Sequence, residues 1–409
     1  MSFMDEAMPS LSETFVPPVV YGTADLTTFA YHGNDYAALL ARIGVGGDDV
    51  AGRLYDQSIA CQLAFRRAEG LSLQDEALEA NQIYRVGHAP AGALRLLALV
   101  SPGDLMTNTP LDFLTNYLNV QLDLLFVLPD RPLPPVIPDH DVAFFAVGEA
   151  DPPELERLRR LFARWPRPTL NNPEFLPALE RDTLSGSLSG FPGLCSPRAI
   201  AVDRVALDAH VQYGAPVAGV IEPHGLYPCL IRPLASHAGT GLARLESVDD
   251  MAKYLHLSFD NRFFLTAFED YSGPDGLYRK FRVAFIDREP FLCHMAVSSH
   301  WMVHYLNAGM TDSADKRADE ARAMAEFDDG FAQRHTAAFD ALHERIDLDY
   351  YSIDCAETQD GRLLVFEADA AAIIHMMDPP DLFPYKEPQM RKVFAAFEAM
   401  LRRRAEQPR

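Results

Sequence analysis

The sequence predicts a multi-lobed α/β fold in which a small parallel α/β domain follows a helical N-terminal extension. Apolar residues recur at helical spacing in residues 49–67, which indicates a helix in the extension. From Leu94 onward, short apolar runs alternate with a helical stretch, as in a parallel sheet. Two β-rich runs flank Asp360-Gly361, the signal of a hairpin. We expect domain boundaries at residues 1–90, 91–172 and 173–409.

The composition of the chain argues against some classes of binding partner. The chain has 409 residues and a formal net charge of −22, from 36 basic and 58 acidic residues. This excess of acid opposes nonspecific binding to nucleic acid or to an anionic membrane, so we expect neither as a partner. The five cysteines are far apart and form no CxxC pair, which favours a reducing cytoplasm over a disulfide framework. No apolar run approaches ~18 residues, so we expect neither a signal peptide nor a membrane span.

The first two parts of the chain carry no chemical motif. The helix over residues 49–67 is expected to end before Gly70, and packing or a homo-oligomer contact is the expected role of the extension. In the next part, LRLLALV, LDLLFVL and DVAFFAVGE predict strands of a parallel sheet that is covered on both faces. Pro152-Pro153 can occupy the first turn of the helix that follows.

A strand, a glycine-containing loop and a second strand are predicted in YPCLIRPLASHAGTGLARLES, with Arg232 at the end of the first strand. Gly239 and Gly241 would let backbone N–H groups approach an anion closely. Ser247 is expected to cap the next helix, with Asp250 at position N3.

A second hairpin is predicted from KFRVAFID and FLCHMAVS. Lys280 and Arg282 alternate onto one face of its first strand, where they bind phosphate or line a solvated edge. His300 and His304 have the spacing of metal ligands on a helix, but HWMVH lacks the glutamate of the zincin motif HExxH. Together with His294 they are candidates for a substrate pocket, or ordinary core and surface histidines.

The hairpin around Asp360-Gly361 brings acids together. A two-residue type I′ loop would pair Gln359 with Arg362, and counting back then places Asp354 opposite Glu367, with Asp369 one step further on the same face. The other face would bury an apolar set: Tyr351, Ile353, Cys355, Leu364, Phe366 and Ala368. Crowded carboxylates predict a Mg²⁺ shared with a nucleotide, or else a solvated acidic face.

The order of these features resembles that of the ATP-grasp superfamily over roughly residues 94–386. The branch with glutathione-synthetase-like ligases and ribosomal-protein glutamate ligases is the most similar. In that family an aspartate and a later Glu-x-Asn bind Mg²⁺ and the phosphates of ATP, which matches Asp354, Glu367 and Asp369. The chain departs from the family with Arg232 in place of a phosphate-binding lysine, with Asp369 in place of the asparagine, and with Thr183 where many relatives have another lysine. The absence of GxGxxG, GxxxxGK[ST], GxSxG and HRD motifs weakens Rossmann, P-loop, hydrolase and kinase alternatives.

The resemblance implies an ATP- and Mg²⁺-dependent ligase that joins a small carboxylate to an amine through an acylphosphate. Catalysis would fall to Arg232, Lys280 and Arg282. The residues implied for binding ATP are Arg232, His237, Gly239, Gly241, Phe268, Glu269, Asp275 and Lys280. Two alternatives remain open, a phosphotransferase with the same site and a nucleotide-binding regulatory protein without catalysis.

Overall fold

The computed structural model describes residues 6–45, 49–217, 225–234, 239–305 and 308–407. In these residues the strands form sheets of six, five, four and two strands, with helices packed against them. The predicted mixed α/β class is therefore confirmed. No helix in the described part of the chain is long and apolar enough to cross a membrane.

The N-terminal extension is mostly helical. Its elements are β1 (Ser10–Ser12), β2 (Val19–Val20), α1 (Gly22–Tyr31), α2 (Tyr36–Val45), α3 (Val50–Leu63) and α4 (Arg67–Ala80). Asp49 caps α3 by accepting a hydrogen bond from the Gly52 N–H at 2.7 Å. The helix predicted over residues 49–67 starts where expected, but it ends at Leu63, and Gly70 lies inside α4 rather than beyond a helix end.

Gly70 lies inside a helix because the two helices touch there. A Cβ atom on Gly70 would lie 2.6 Å from Gln62 Cγ and 2.7 Å from the Ser58 carbonyl oxygen. The missing side chain thus allows α4 to pack directly on α3. Sequence spacing alone cannot distinguish such a packing glycine from one that ends a helix.

A mostly parallel sheet follows the extension. The elements are β3 (Ile83–Val86), β4 (Leu94–Val100), α5 (Leu111–Thr115), β5 (Val120–Phe126), β6 (Val136–Pro138), β7 (Val142–Phe145), α6 (Pro152–Arg164) and β8 (Thr169–Leu170). The sheet has the order β2-β3-β5-β4-β7-β8, and β4 pairs in parallel with both β5 and β7, as the sequence predicts. Pro152 and Pro153 occupy the first turn of α6, and Asp151 caps it.

The extension packs on this sheet. Leu26 of α1 and Ile59 of α3 share one core with Leu96 of β4 and Phe144 of β7, and Phe397 from the last helix of the chain joins the same core. This contact gives the extension the packing role expected of it. Its part in an oligomer stays a prediction.

A four-stranded antiparallel sheet comes next. The elements are a 3₁₀ helix (Pro173–Leu179), α7 (Arg181–Ser187), β9 (Leu194–Cys195), β10 (Ala199–Asp203), α8 (Arg204–Tyr213), β11 (Cys229–Pro233), β12 (Ala243–Leu245), α9 (Val248–Leu257) and β13 (Arg262–Ala267). The order is β10-β13-β11-β12, while β9 belongs to the following sheet. Ser247 accepts a hydrogen bond from the Asp250 N–H and caps α9 as predicted.

The five-stranded sheet carries most of the predicted site. Its elements are β14 (Tyr278–Ile286), β15 (Glu289–Ser298), α10 (Ala314–Ala325), a π-helix (Asp328–Ala332), α11 (Thr336–His343), β16 (Tyr350–Glu357), β17 (Leu363–Asp369) and α12 (Lys386–Glu406). The order is β15-β14-β16-β17-β9. One face packs on α10 and α11 through residues such as Phe285, Phe339 and Tyr351. The opposite face, called the acidic face below, carries Asp354 of β16 and Glu367 and Asp369 of β17.

The register of β16 and β17 is as predicted at the acids, although the predicted turn is wrong. The loop has three residues, 359–361, because the Thr358 N–H donates to the Arg362 carbonyl at 2.9 Å and Gly361 has a φ of +83°. A bulge at Phe366 then shifts the register by one residue. The two departures cancel, so Asp354 pairs with Glu367, and Asp369 pairs with Ser352.

The bulge also corrects the predicted core. Tyr351, Ile353, Cys355 and Ala368 are buried against the helices as expected, and Leu363 and Val365 join them. Leu364 and Phe366, which the two-residue turn assigned to that core, instead lie beside Ala356 and Tyr271 on the acidic face.

The contact between α3 and α4 makes a prediction about stability. Gly70→Ala should destabilise the fold by about 1–3 kcal/mol, because the new methyl group meets a backbone carbonyl that cannot move aside freely. Gly44→Ala is the matched control, since Gly44 lies in α2 with no atom within 4 Å of a built Cβ. That variant should be neutral or gain up to about 1 kcal/mol from helix propensity. Urea unfolding of both variants measures the difference, and equal stabilities would contradict the packing role of Gly70.

Candidate active site on the acidic face

The centre of the acidic face is a buried ion pair network. Asp354 has 3% of its surface exposed. Arg282 donates to it from Nε at 2.7 Å and from Nη2 at 3.0 Å, and Lys280 Nζ lies 2.7 Å from Oδ2. Lys280 and Arg282 alternate along β14, and Arg282 lies opposite Asp354 in the register, so the predicted cationic pair faces the acids.

The cations determine the charge of Asp354. Burial alone would raise the pKa of this carboxyl, but Arg282 and Lys280 lower it further than burial raises it. The pKa therefore lies well below its usual range, and Asp354 is a carboxylate at neutral pH. The stability from its depressed pKa is present above the unfolded-state value of about 4 and is lost as the pH falls below it.

Two arginines from outside the hairpin lie near Glu367, the acid opposite Asp354. Arg181, the first residue of α7, donates to the carboxylate of Glu367. Arg232 of β11 is buried, and its pKa is lowered to about 10, first by burial and then by Arg181, while Glu367 acts in the opposite direction. Arg232 of the four-stranded sheet therefore lies near enough to Arg181 and Glu367 for both to affect its pKa. The sequence gives no signal for Arg181, because it precedes Glu367 by 186 residues and lies in no motif.

Asp369 is the crowded member of the three acids. Its Oδ1 accepts a hydrogen bond from the Ala371 N–H at 2.6 Å. Burial raises the pKa of its carboxyl to about 6, with further contributions from Glu367 and Asp354. The like-charge crowding expected from the register is therefore present at this residue.

The acids differ in how they fit a divalent cation. No group of three or more His, Cys, Asp or Glu side chains in the described residues is arranged to hold a metal. Glu367 and Asp369 fit a hard cation, because a positive charge beside them would relieve the crowding that raises the pKa of Asp369. Asp354 has a cationic partner on each oxygen, so its part in metal binding depends on release of one of them. Metal binding by the three acids stays a prediction.

The glycine loop lies against a histidine near the acids. A Cβ on Gly239 would come 2.5 Å from Nε2 of His304, and the Gly241 carbonyl accepts a hydrogen bond from the Tyr254 hydroxyl at 2.7 Å. Burial lowers the pKa of His304, as does Lys280, while Asp354 opposes them. His237 lies outside the described residues.

Three of the residues implied for binding ATP, namely Phe268, Glu269 and Asp275, form contacts with arginine side chains. Phe268 lies under the guanidinium of Arg244, 3.8 Å from the ring centroid. Glu269 is 3.5 Å from Arg362, close to the tip of the β16–β17 hairpin. Asp275 forms an ion pair with Arg279 at 2.7 Å, which lowers the pKa of the Asp275 carboxyl to about 2. Their contact with a nucleotide stays a prediction.

An apolar cluster lies on the acidic face between these residues and the acids. Cys195 of β9, Ala356 of β16 and Leu364 of β17 pack together with Tyr271, and Phe366 lies beside them. Ala356 is two residues from Asp354 along one strand, so the apolar cluster continues the acidic face towards the hairpin tip. Sequence periodicity missed it because the bulge moves Leu364 and Phe366 to this face.

The histidines differ in their contacts. His294 lies opposite Arg282 in the register, and its ring is 4.7 Å from that of Tyr305. His300 is exposed, and it lies with His304 in an irregular loop, so their spacing of four does not place them on a helix. His375, which follows the hairpin, accepts a hydrogen bond from the Met377 N–H at its Nδ1, and burial lowers its pKa to about 4.

A buried network of polar side chains lies next to His294. Lys386, the first residue of α12, lies 2.8 Å from Asp378 and 3.3 Å from Glu320. Glu320 is fully buried and also accepts hydrogen bonds from the Tyr385 hydroxyl and the Met295 N–H. The network ties α10 and α12 to the edge of β15, which carries His294.

A large cavity lies elsewhere, in the N-terminal part of the chain. It has a volume of about 870 Å³ between α1, α3 and the start of β5. Its two buried acids accept backbone hydrogen bonds, Asp56 from Tyr21 and Gly22, and Asp112 from Ala24. These carboxylates hold the start of α1 in place.

The raised pKa of Asp369 gives a prediction with a defined sign. A raised carboxyl pKa means that stability falls as the pH rises from about 4 through 6. Asp369→Asn removes this loss, so the metal-free variant should be more stable than wild type by about 1–3 kcal/mol at pH 8 and equal to it near pH 4. Unfolding curves at both pH values test this. A variant that is less stable at pH 8 would show that Asp369 has a cationic partner.

Comparison with known proteins gives structural matches only. No family model matches the sequence, and no curated protein matches it. D-alanyl-alanine synthetase A from Vibrio cholerae is 10% identical with a TM-score of 0.46, over 78% of this chain and 100% of its own. The VanG D-Ala:D-Ser ligase from Enterococcus faecalis is 12% identical with a TM-score of 0.44, over 76% and 99%. A RimK domain ATP-grasp protein from Sphaerobacter thermophilus is 16% identical with a TM-score of 0.40, over 76% and 100%. At these identities and TM-scores below 0.5, the likeness to such ligases transfers no residue role to this chain.

Proposed function

We propose that the protein is an ATP- and Mg²⁺-dependent ligase of the ATP-grasp type, which joins a carboxylate to an amine through an acylphosphate. One observation carries the proposal. The acidic face changes character from the apolar cluster near the hairpin tip to a row of charged side chains across β17, β16 and β14, and His294 of β15 ends that row near Lys386. A nucleotide has the same order, with an apolar base, a charged triphosphate and a reacting end.

The apolar end suits a base. The side chains of Cys195, Ala356 and Leu364 form an uncharged floor, and Glu269, which follows β13 closely, lies beside Cys195. A backbone segment next to such a floor offers N–H and C=O groups to the edge of a purine. Ligand sites of this kind combine an apolar lining with a few polar groups.

The cations suit the phosphates. Arg232 approaches from the four-stranded sheet, and Lys280 and Arg282 from β14, so the positive charges converge from two sheets. Such groups stabilise the charge of a transferred phosphoryl group and of the oxyanion that forms when an amine attacks. Gly239 and Gly241 have positive φ, a conformation in which successive backbone N–H groups can form an anion-binding concavity.

The acids suit a metal held with the phosphates. Glu367 and Asp369 would hold Mg²⁺, and Asp354 would join them on release of Lys280 or Arg282. When bound, the ion neutralises charge on the phosphates and polarises them. Arg181 would then keep Glu367 oriented through the ion pair that it already forms.

A second candidate function is nucleotide binding without turnover. It is favoured by the ion pairs, because Asp354 and Glu367 already have cationic partners in Lys280, Arg282 and Arg181. A partner protein whose association depends on ATP would support it. Transfer of phosphate to a hydroxyl is separated from ligation by the mass of the product.

The proposal predicts the effect of Glu367→Gln. ADP release over a panel of amino acids and small acids, at saturating Mg²⁺, should fall by roughly 10²-fold, because a hard cation loses an anionic ligand. Metal-free stability should change by less than about 1 kcal/mol, because the pair with Arg181 is partly exposed.

The matched control is Glu357→Gln on the same hairpin. Glu357 lies on the opposite face and pairs with Arg334 at 3.1 Å, so its variant should keep wild-type turnover. Wild-type turnover in Glu367→Gln would show that Glu367 holds no metal that the reaction needs. Tight binding of ATP by wild type with no ADP released on any acceptor would favour the second candidate function.

A further inference from the structure

His294 has a buried ring nitrogen with no hydrogen-bond partner among the described residues. The atom is Nδ1, which is shielded from solvent. A buried polar atom without a partner is costly, and a bound ligand, an ordered water or a role in a reaction can account for it. His294 therefore requires an explanation beyond packing on Tyr305.

The position of His294 is next to the cations that would act on the acylphosphate. It lies on β15 directly opposite Arg282, whose guanidinium binds Asp354. The strands are adjacent, so the two side chains project from the same region of the acidic face. A group at this place lies beside the reacting end of a nucleotide whose phosphates are held by Lys280 and Arg282.

The surroundings keep the imidazole neutral. Burial lowers the pKa of His294 well below its usual value, and Arg282, Lys386 and Lys280 act in the same direction, while Asp354 opposes them. A neutral imidazole has one nitrogen with a free lone pair. With the proton on Nε2, that lone pair is on the unpartnered Nδ1.

We propose that Nδ1 of His294 takes the proton from the amine as the amine attacks the acylphosphate, which makes His294 the general base of the ligation. This step rests on the proposed function. The amine enters uncharged, its nitrogen forms a bond to the acyl carbon, and the bond from that carbon to the phosphate oxygen breaks. The N–H proton moves to Nδ1 and then to solvent, and inorganic phosphate leaves.

A weak base is sufficient for this step. An alkylamine nitrogen becomes strongly acidic once it carries the new bond to carbon, so a neutral imidazole of lowered pKa can accept the proton. The other nearby histidines are less suited. Nδ1 of His375 already accepts the Met377 N–H, and His304 lies against Gly239 of the glycine loop.

The test separates proton transfer from acylphosphate formation by changing the nucleophile. His294→Asn keeps a polar atom near the position of Nδ1 but removes its basicity. Hydroxylamine traps acylphosphates as hydroxamates and is a much weaker base than an alkylamine, so its adduct loses its proton to water without help. The variant should form hydroxamate at the wild-type rate, whereas kcat for amide formation with an alkylamine should fall about 10²–10⁴-fold.

Two further variants complete the experiment. His256→Asn changes an exposed histidine of α9 and should leave both rates at wild-type values. His294→Ala should recover amide formation when free imidazole is added, with no effect of imidazole on the hydroxamate rate. Melting temperatures of all variants identify any that fail to fold, and His294→Gln replaces His294→Asn in that case.

Each outcome has one meaning. Equal losses with both nucleophiles would show that His294 only positions the site, and unchanged amide formation would show that it plays no part, so either result overturns the proposal. If wild type forms neither hydroxamate nor amide from any acid in the panel, the proposed ligase function itself fails. The base assignment then falls with it, which is a different result from a selective failure of His294.

Discussion

The buried carboxylate of Asp354 is the interaction on which the rest of the site depends. It takes hydrogen bonds from Arg282 and Lys280 of the neighbouring strand, so both long cations are held in one direction instead of extending into solvent. Burial of three charged groups is costly, and the arrangement holds only while all partners are present. Removing one partner of such a pair typically costs about 3–5 kcal/mol, because a buried charge is left behind. The same contacts that stabilise β14 against β16 therefore present positive charge to the place where phosphates would lie.

The register of β16 and β17 explains why part of the site could be predicted from the sequence. The period of two and an assumed two-residue turn at Asp360-Gly361 predict Asp354 opposite Glu367, which is the observed pair although the turn is not the observed one. The agreement required two departures of opposite sign, a longer loop and a bulge at Phe366. A bulge leaves no clear mark in a single sequence, because an apolar residue such as Phe366 fits a strand with or without one. Because the bulge is not predicted, Leu364 is assigned to the wrong face of the sheet, and the apolar cluster on the acidic face is not predicted either.

The remaining contacts of the site are long-range, and this is why sequence reasoning missed them. Lys280 and Arg282 were found because alternation along one strand is a local rule. Arg181 meets Glu367 only through the packing of α7 on β17, and Lys386 meets Glu320 through the packing of α12 on α10. Charged residues such as these are common throughout the sequence, so composition does not distinguish the ones in the site from the others. The unpartnered nitrogen of His294 is likewise a property of its surroundings, which only the folded chain defines.

The charges on the acidic face compensate one another, and the effect is clearest for Asp369 and Arg181. Asp369 places a second negative charge near Glu367, and burial together with this like charge raises the pKa of the Asp369 carboxyl to about 6. Arg181 adds a positive charge beside Glu367, and Arg232 lies close enough for its pKa to respond to both residues. The protein as a whole carries a net charge of −22, which would repel a triphosphate at a distance. The proposed function therefore requires that attraction come from the site itself, where the buried Arg232 holds a positive charge that solvent screens poorly. The negative charge of Asp369 and the positive charge of Arg181 thus offset each other around Glu367, and the role of each residue depends on the other.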